Sequence, residues 1–411
     1  MSLKNFIPSA VDLLDQSTRL TFGDLMGHRR HCFEHGESTD PVKILLANQV
    51  TNKTMAKFIF VVCQNGVESA CKNEVTRNHP ELRLAFSRPG FVTFKLDDSP
   101  FPEKFFLKST LARTYGWSWG NETADSSTEL VKSVLQHPKL AEAKHIHIWQ
   151  RDRLNPGTRG FEPGITPLAQ EMAEQVRRVL TEENQMPVNG LTQPDVPVFD
   201  VVMVEPNQWW FGFHYATTPA LRWPGGVPLI DHQVDCVSRA YLKLQEALLW
   251  SGIGIKPEDN CLEIGSAPGG GCQLLLEKGA RVLAVDPAEM DPEILAHDNL
   301  THLKCRGRDV RKRDLRDIRW LFSDLNVTPS YTIDAVEEIV TNQHVCHLQG
   351  MLLTLKLTDL KMIDQVPDLI QRVKGMGFNL VRTRQLAFNR NEFCLMAIRD
   401  QFALRASRRK N

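Results

Sequence analysis

The sequence predicts an α/β protein whose C-terminal part is a doubly wound, Rossmann-like sheet, preceded by smaller α+β units. Three observations predict it. From about Asp231 onward, short apolar runs alternate with helical patterns, an order that builds parallel strands with helices on both faces. The first clear run, Cys261 to Ile264, passes into the turn Gly265-Ser-Ala-Pro-Gly-Gly-Gly271 and then the helical pattern at Leu274, Leu275 and Leu276. That is strand, tight turn and helix, with glycines where the backbone must approach a ligand and free N–H groups where the helix begins. Before Asp231 strands and helices mix without regular alternation, the mark of an α+β arrangement.

Bulk properties bound the answer. At 411 residues, two or three domains are expected. Lys and Arg balance Asp and Glu at 49 each, so there is no global nucleic-acid signature, although a local basic face remains open. No apolar run approaches the roughly 18 residues of a membrane span, and the first 30 residues lack the apolar core of a signal peptide. The nine cysteines are scattered and form no CxxC. They read as reduced thiols of a cytoplasmic protein.

Residues 1–55 form a polar leader without sustained periodicity. Within it His28, His31, Cys32 and His35 have spacing that suits a metal, but a solvated segment is the better reading, and no metal is expected. Phe58 to Cys63 predicts a strand, Gly66 to Val75 an amphipathic helix, and Leu82–Phe86 and Gly90–Phe94 two more strands, giving a first unit over 56–120. A helix over Asp125–Leu135, a strand His145–Trp149, a helix Ala169–Leu180 and a hairpin of Val196–Val204 with Trp209–Tyr215 make a second unit over 121–220. Of the aromatic cluster Trp209, Trp210, Phe211, Phe213 and His214, alternation sends about half inward. Core packing outweighs base stacking for the others. His145 and His147 share one strand face and read as surface histidines. The run 217–232 is rich in Pro and Gly, and its part from 221 to 232 is assigned as a linker. The C-terminal domain spans 233–402, with a helix expected over 333–348, and a basic tail follows over 403–411.

The glycine turn and Asp286, which ends the next apolar run, suit the ribose of a nucleoside cofactor. Both a dinucleotide and S-adenosylmethionine fit that pattern. Four charged residues then stand out. Lys243 lies in a helix before the turn, Asp324 and Lys356 end apolar strands, and Glu392 begins the last one. Lysines at buried strand ends need partners or a cleft. Two ammonium groups placed together should depress one pKa, and a neutral amine is a competent general base.

From Ser238 to Arg399 the chain resembles the FtsJ-type ribose 2′-O-methyltransferases. The likeness rests on Glu263-Ile-Gly-Ser-Ala-Pro-Gly-Gly-Gly271 and on the order and spacing of Lys243, Asp324, Lys356 and Glu392. Leu353–Leu357 and Gln385–Glu392 are similar to the bacterial subgroup that methylates a cytidine ribose of 23S ribosomal RNA. So is Met55 to Tyr215, as a ferredoxin-like unit followed by a THUMP RNA-binding domain. The resemblance implies S-adenosylmethionine as cofactor and large-subunit ribosomal RNA, as a protein-poor precursor, as partner. It implies that Lys356 takes the 2′-OH proton, that Asp324 and Lys243 align amine and ribose, and that Glu392 positions the hydroxyl or the lysines. Cofactor contacts carry over to Glu263, Gly265, Ser266, Ala267, Pro268, Gly269, Gly270 and Asp324. Asp286 would take the ribose hydroxyls and Asp309 the adenine amine. Two departures stand out: Gly271 replaces a usual tryptophan, and Lys361-Met-Ile-Asp364 is less basic than in relatives. Arg306, Arg308, Arg311, Lys312, Arg313, Arg316 and Arg319 form a basic run that could hold phosphates.

Rival readings fit less well. A short-chain dehydrogenase needs Tyr-x-x-x-Lys, yet among only four tyrosines Tyr331 is followed at that spacing by Ala335. Carbon-5 base methylation needs a Pro-Cys nucleophile, and amino methylation an Asp-Pro-Pro-aromatic loop; Asp324 is followed by Leu-Asn-Val. An inactive methyltransferase fold serving ribosome assembly, or methylation of another RNA, remains the alternative.

Overall fold

A computed structural model of the chain describes residues 57–97, 101–183, 186–231, 235–341, 345 and 347–399. The histidines and cysteine of the leader, and the basic tail, lie outside the described residues.

The first sheet is built from β1 (Phe58–Val62), β2 (Leu82–Arg88), β3 (Phe91–Leu96), β4 (Thr114–Thr123), β5 (His145–Gln150), β6 (Pro197–Glu205) and β7 (Gln208–Tyr215). Helices α1 (Glu68–Asn78), α2 (Ser127–Gln136) and α3 (Pro167–Glu183) intervene in sequence. The strand order is β2-β3-β1-β4-β7-β6-β5, antiparallel throughout except for the β5–β6 pair. Sequence patterning does not predict β4, because Gly116 and Gly120 interrupt it and its outer half is polar. It is the strand that joins the two α+β units into one seven-stranded sheet, pairing with β1 on one side and β7 on the other.

Strands β5, β6 and β7 are buried on both faces, which bears out core packing for the aromatic cluster and corrects the reading of the strand histidines. Trp209, Trp210, Phe211, Phe213 and His214 are all buried, so none of them presents a face for base stacking. His145 and His147 are buried too, not surface residues. His147 on β5, Asp200 on β6 and His214 on β7 converge on one face. His214 donates from Nδ1 to Asp200 at 2.5 Å and from Nε2 to the Leu221 carbonyl at 2.8 Å. Two acceptors on one ring require the imidazolium. Burial disfavours that charge, but Asp200 outweighs it and the His214 pKa is raised. Burial, with His214 close by, pushes His147 well below its ordinary value.

The second sheet contains the described core of the C-terminal domain. Its elements are α4 (Ala240–Ser251), β8 (Asn260–Ile264), α5 (Gly270–Glu277), β9 (Arg281–Val285), α6 (Pro292–Leu295), β10 (Leu300–Leu303), β11 (Trp320–Ser323), α7 (Pro329–Val340), β12 (Gly350–Lys356), α8 (Val366–Gly375), β13 (Leu380–Arg384) and β14 (Glu392–Ile398). The order is β10-β9-β8-β11-β12-β14-β13. The first five run parallel; β14 inserts antiparallel between β12 and β13, so the sheet is mixed. Buried on both faces, β12 and β14 read as continuous apolar runs. Helix α7 starts earlier than the apolar pattern suggests, since Pro329 at its first turn pre-sets the helical φ, and it ends at Val340.

The segment expected to be a loose linker is packed. It folds into two short 3₁₀ turns, Pro219–Arg222 and Pro224–Gly226, with Ala220, Leu221, Trp223 and Val227 buried. Its carbonyls serve as acceptors: Arg113 Nε donates to Gly225 and Arg384 Nη2 to Gly226. Among the described residues no helix is long and apolar enough to cross a membrane.

Candidate active site

In an open parallel sheet, ligands bind beyond the carboxyl ends of the strands where the strand order reverses. Here that point lies between β8 and β11, whose neighbours run outward in opposite directions. Gly265 and Asp324 follow these two strands directly, Asp286 follows β9, and Lys356 ends β12. Because β14 is antiparallel, its first residue, Glu392, lies opposite Lys356 in register. Helix α4 brings Lys243 over the same edge.

These four side chains close a ring. Lys243 Nζ lies 3.0 Å from Asp324 Oδ2 and 2.6 Å from Glu392 Oε1. Lys356 Nζ lies 3.0 Å from Asp324 Oδ1 and 2.5 Å from Glu392 Oε2. Each ammonium therefore bridges both carboxylates, and each carboxylate bridges both ammonium groups. Exposure falls to 16–18% for the lysines and Asp324 and 5% for Glu392, low enough that the charges need one another and open enough to admit a substrate. Burial raises the Asp324 pKa, but Lys243 and Lys356 pull it below its ordinary value. For Lys356 burial favours the neutral amine, yet Asp324 and Glu392 outweigh it and the pKa is raised. For Lys356 the expectation of a depressed amine is thus reversed, because two carboxylates lie within 3.0 Å of it.

Beside the ring lies a cleft of about 360 Å³, within the size range of small-molecule sites. Its lining includes Gly265, Asp286, Cys305, Gly307, Leu325 and Tyr331. Gly265 has φ of +78°, and a Cβ there would lie 2.9 Å from Leu325 Cδ2 and 3.1 Å from the Asp324 carbonyl. Only glycine fits this turn. The Ala267–Pro268 peptide is cis. Asp286 accepts from the backbone N–H groups of Ala267 at 3.1 Å and Ala288 at 2.8 Å, so it holds the glycine turn against β9 while bordering the cleft. Ser266 is buried with Oγ against Met290 Sδ, and Gly269 and Gly270 lead into α5.

Of the residues expected at the cofactor, Gly265 and Asp286 line this cleft; Ser266–Gly270 and Asp324 adjoin it in sequence, and Glu263 and Asp309 do not border it. Glu263 points behind the turn, 4% exposed, where the missing side chain of Gly271 leaves room for it. Burial, with Asp324 and Asp286 nearby, pushes its pKa up to about 8, although the Cys272 thiol donates to it. Asp309 is exposed on a 3₁₀ turn and does not border the cleft. The wall there is formed by Cys305–Arg308. Sequence reasoning missed Tyr331, Asp334 and Glu338, which border the cleft from one face of α7; their i, i+3, i+7 spacing was the available signal. In the basic run, Arg319 is tied to Asp259 at 3.1 Å, whereas Arg306, Arg308, Arg311, Lys312, Arg313 and Arg316 are exposed.

Residues 236–385 match the family described as FtsJ-like methyltransferase. The chain is similar to proteins named ribosomal RNA large subunit methyltransferase M. That of Shewanella woodyi is 23% identical over 308 residues, covering 69% of this chain and 81% of that protein. That of Azoarcus sp. is 27% identical over 212 residues, covering 49% and 57%. That of Methylococcus capsulatus is 30% identical over 141 residues, covering 33% and 39%. The glycine turn that excludes a Cβ and the adjoining cleft with Asp286 suit the family's cofactor, S-adenosylmethionine. Over residues 236–385 the chain is similar to FtsJ-like methyltransferases, and the protein is an S-adenosylmethionine-dependent methyltransferase.

Proposed function

We propose that the protein methylates a ribose 2′-hydroxyl of large-subunit ribosomal RNA, at a cytidine of 23S rRNA before the particle has acquired most of its proteins. The observation that carries this is the closed ring of Lys243, Asp324, Lys356 and Glu392. A base-methylating enzyme needs a nucleophile or an amide platform, whereas a hydroxyl needs a proton acceptor held in line, which this ring contains. The names of the relatives support the RNA. The first sheet, read as ferredoxin-like over 56–120 and THUMP-like over 121–220, supports an RNA-presenting role. Such a substrate belongs in the cytoplasm.

Bound S-adenosylmethionine supplies an electrophilic methyl group on a sulfonium. Gly265, Ala267, Pro268 and the start of α5 would shape its seat, with Asp286 at its ribose. The ring aligns the attacking oxygen. Lys356, once neutral, takes the proton of the 2′-hydroxyl at Nζ as that oxygen becomes the ether. Asp324 and Glu392 then hold the resulting ammonium, and Lys243 keeps both carboxylates ionised and oriented. Positioning of this kind is worth up to about 7–11 kcal/mol of a barrier.

The test is incubation with methyl-labelled S-adenosylmethionine and protein-free large-subunit RNA, followed by alkaline hydrolysis. A methylated ribose blocks cleavage at its own phosphodiester, so the label is expected in an alkali-resistant dinucleotide. Label released on a mononucleotide, as a modified base, would overturn the reading.

A further inference from the structure

A second, polar cleft adjoins the ring and belongs to none of the machinery assigned so far. It measures about 280 Å³. One wall comes from the first sheet's part of the chain, through Gln64, Asn65 and Asn155. The other comes from the methyltransferase domain, through Leu360, Arg390 and Asn391. That second wall runs straight into the ring. Asn391 immediately precedes Glu392, and its carbonyl accepts a hydrogen bond at 2.7 Å from the backbone N–H of Leu357, the residue after Lys356. Arg390 lies across Gly157, where a Cβ would sit 2.9 Å from the arginine Cδ. Its exposed side chain thus bridges from the catalytic domain to the loop that carries Asn155.

The chemistry of the lining is selective. It offers one guanidinium and four side-chain amides, and no carboxylate. Gln64 adds an anomaly. It is 1% exposed, and its Nε2 donates to the carbonyls of Leu386 and Asn389, each at 2.8 Å. Its Oε1 has no hydrogen-bond partner. That oxygen is itself buried, so Gln64 serves as a fixed floor of the cleft, tied by its two carbonyl bonds to the loop before Glu392. Arginine recognises phosphate, and amides match the donor and acceptor edges of unpaired bases.

We propose that this cleft is a nucleotide subsite for the RNA residue adjacent to the one being methylated. Arg390 takes the phosphate between the two nucleotides, and Asn155 and Asn391 meet the base edge. The proposal rests on the RNA ribose methyltransferase reading, and deepens it by stating where the neighbouring nucleotide sits.

The experiment uses the full chain, a protein-free large-subunit RNA transcript and labelled S-adenosylmethionine. Arg390→Ala and Asn155→Ala should each raise the KM for RNA about tenfold, leaving the KM for S-adenosylmethionine unchanged, and Arg390→Lys should restore much of the loss. In filter binding of the same transcript over a salt series, Arg390→Ala should lower the slope of log K against log salt by about 0.7–0.9, the share of one phosphate. A residue that only supports the fold would leave that slope unchanged. An RNA KM within about twofold of wild type in both alanine variants, or an unchanged salt slope, overturns the subsite. The two readings fail separately. Label on a base refutes ribose methylation while the slope still reports the subsite; ribose label with an unmoved slope refutes the subsite alone.

Discussion

Lys356 sits in the ring as an ammonium, because Asp324 and Glu392 both lie within salt-bridge distance of it. The base form is therefore the minor one at neutral pH. Below a raised pKa, each unit of pH increases the neutral fraction about tenfold, so log kcat/KM should climb with a slope near 1 from about pH 7 to 9. It should not level off before the ordinary lysine range of about 10.4. The pH profile of the wild-type enzyme checks this, and a flat profile across that window removes Lys356 as the proton acceptor. Asp324 titrates in the opposite sense. With its pKa depressed, its stabilising contribution is lost only as acid protonates it, well below the working range.

At the scale of the element, β8, its turn and α5 depend on one exchange of volume. Gly271 stands where a tryptophan is usual in the resembling subgroup, and the carboxyl of Glu263 fills the space: a Cβ on Gly271 would lie 2.0 Å from Glu263 Oε1 and 2.8 Å from its Cδ. The carboxyl is buried and its Oε2 has no partner, so it has no second place to go without breaking packing. Gly271→Ala is expected to destabilise the domain by about 1–3 kcal/mol, the cost of overpacking. In a Glu263→Ala background the same change should cost far less, giving a coupling within about 0.5–3 kcal/mol. Urea denaturation of the four members of the cycle measures it, and additive effects would show that the two positions do not share the space.

At the scale of the whole molecule, the first sheet is joined to the methyltransferase domain through buried polar groups as well as apolar contact. Arg113 pairs with Asp152 through two hydrogen bonds, of 2.5 and 3.1 Å, with both side chains nearly inaccessible. Its Nε reaches the Gly225 carbonyl in the packed segment between the two sheets. Thr110 meets Thr383, and Glu246, on the helix that carries Lys243, receives the backbone N–H groups of Ala387 and Phe388. From the other side Gln64 donates to the carbonyls of Leu386 and Asn389, so the loop before Glu392 is held by both parts of the chain. Arg113→Ala strands the Asp152 carboxylate and should cost about 3–5 kcal/mol. The thermal midpoint checks this; a loss within experimental error would show that Asp152 finds water instead.

The sequence by itself determined the nucleoside-binding unit and its chemistry. The run from Cys261 through Gly271 reads locally, because a strand, a glycine turn and a helix start are each specified by neighbouring residues. The charged positions 324, 356 and 392 were legible as charges out of place at apolar strand ends, and 243 as a lysine of the helix before the turn. Their closure into a ring was not, since it depends on β14 entering antiparallel beside β12, a pairing between residues far apart in the chain. The tertiary structure alone decided the sign of the Lys356 shift, which follows from distances to two anions rather than from composition. It also decided the burial of His147 and His214, the retreat of Glu263 behind Gly271, and the packing of residues 217–230. Each of these depends on what a second segment places against the first, and such long-range contacts leave no local pattern to read.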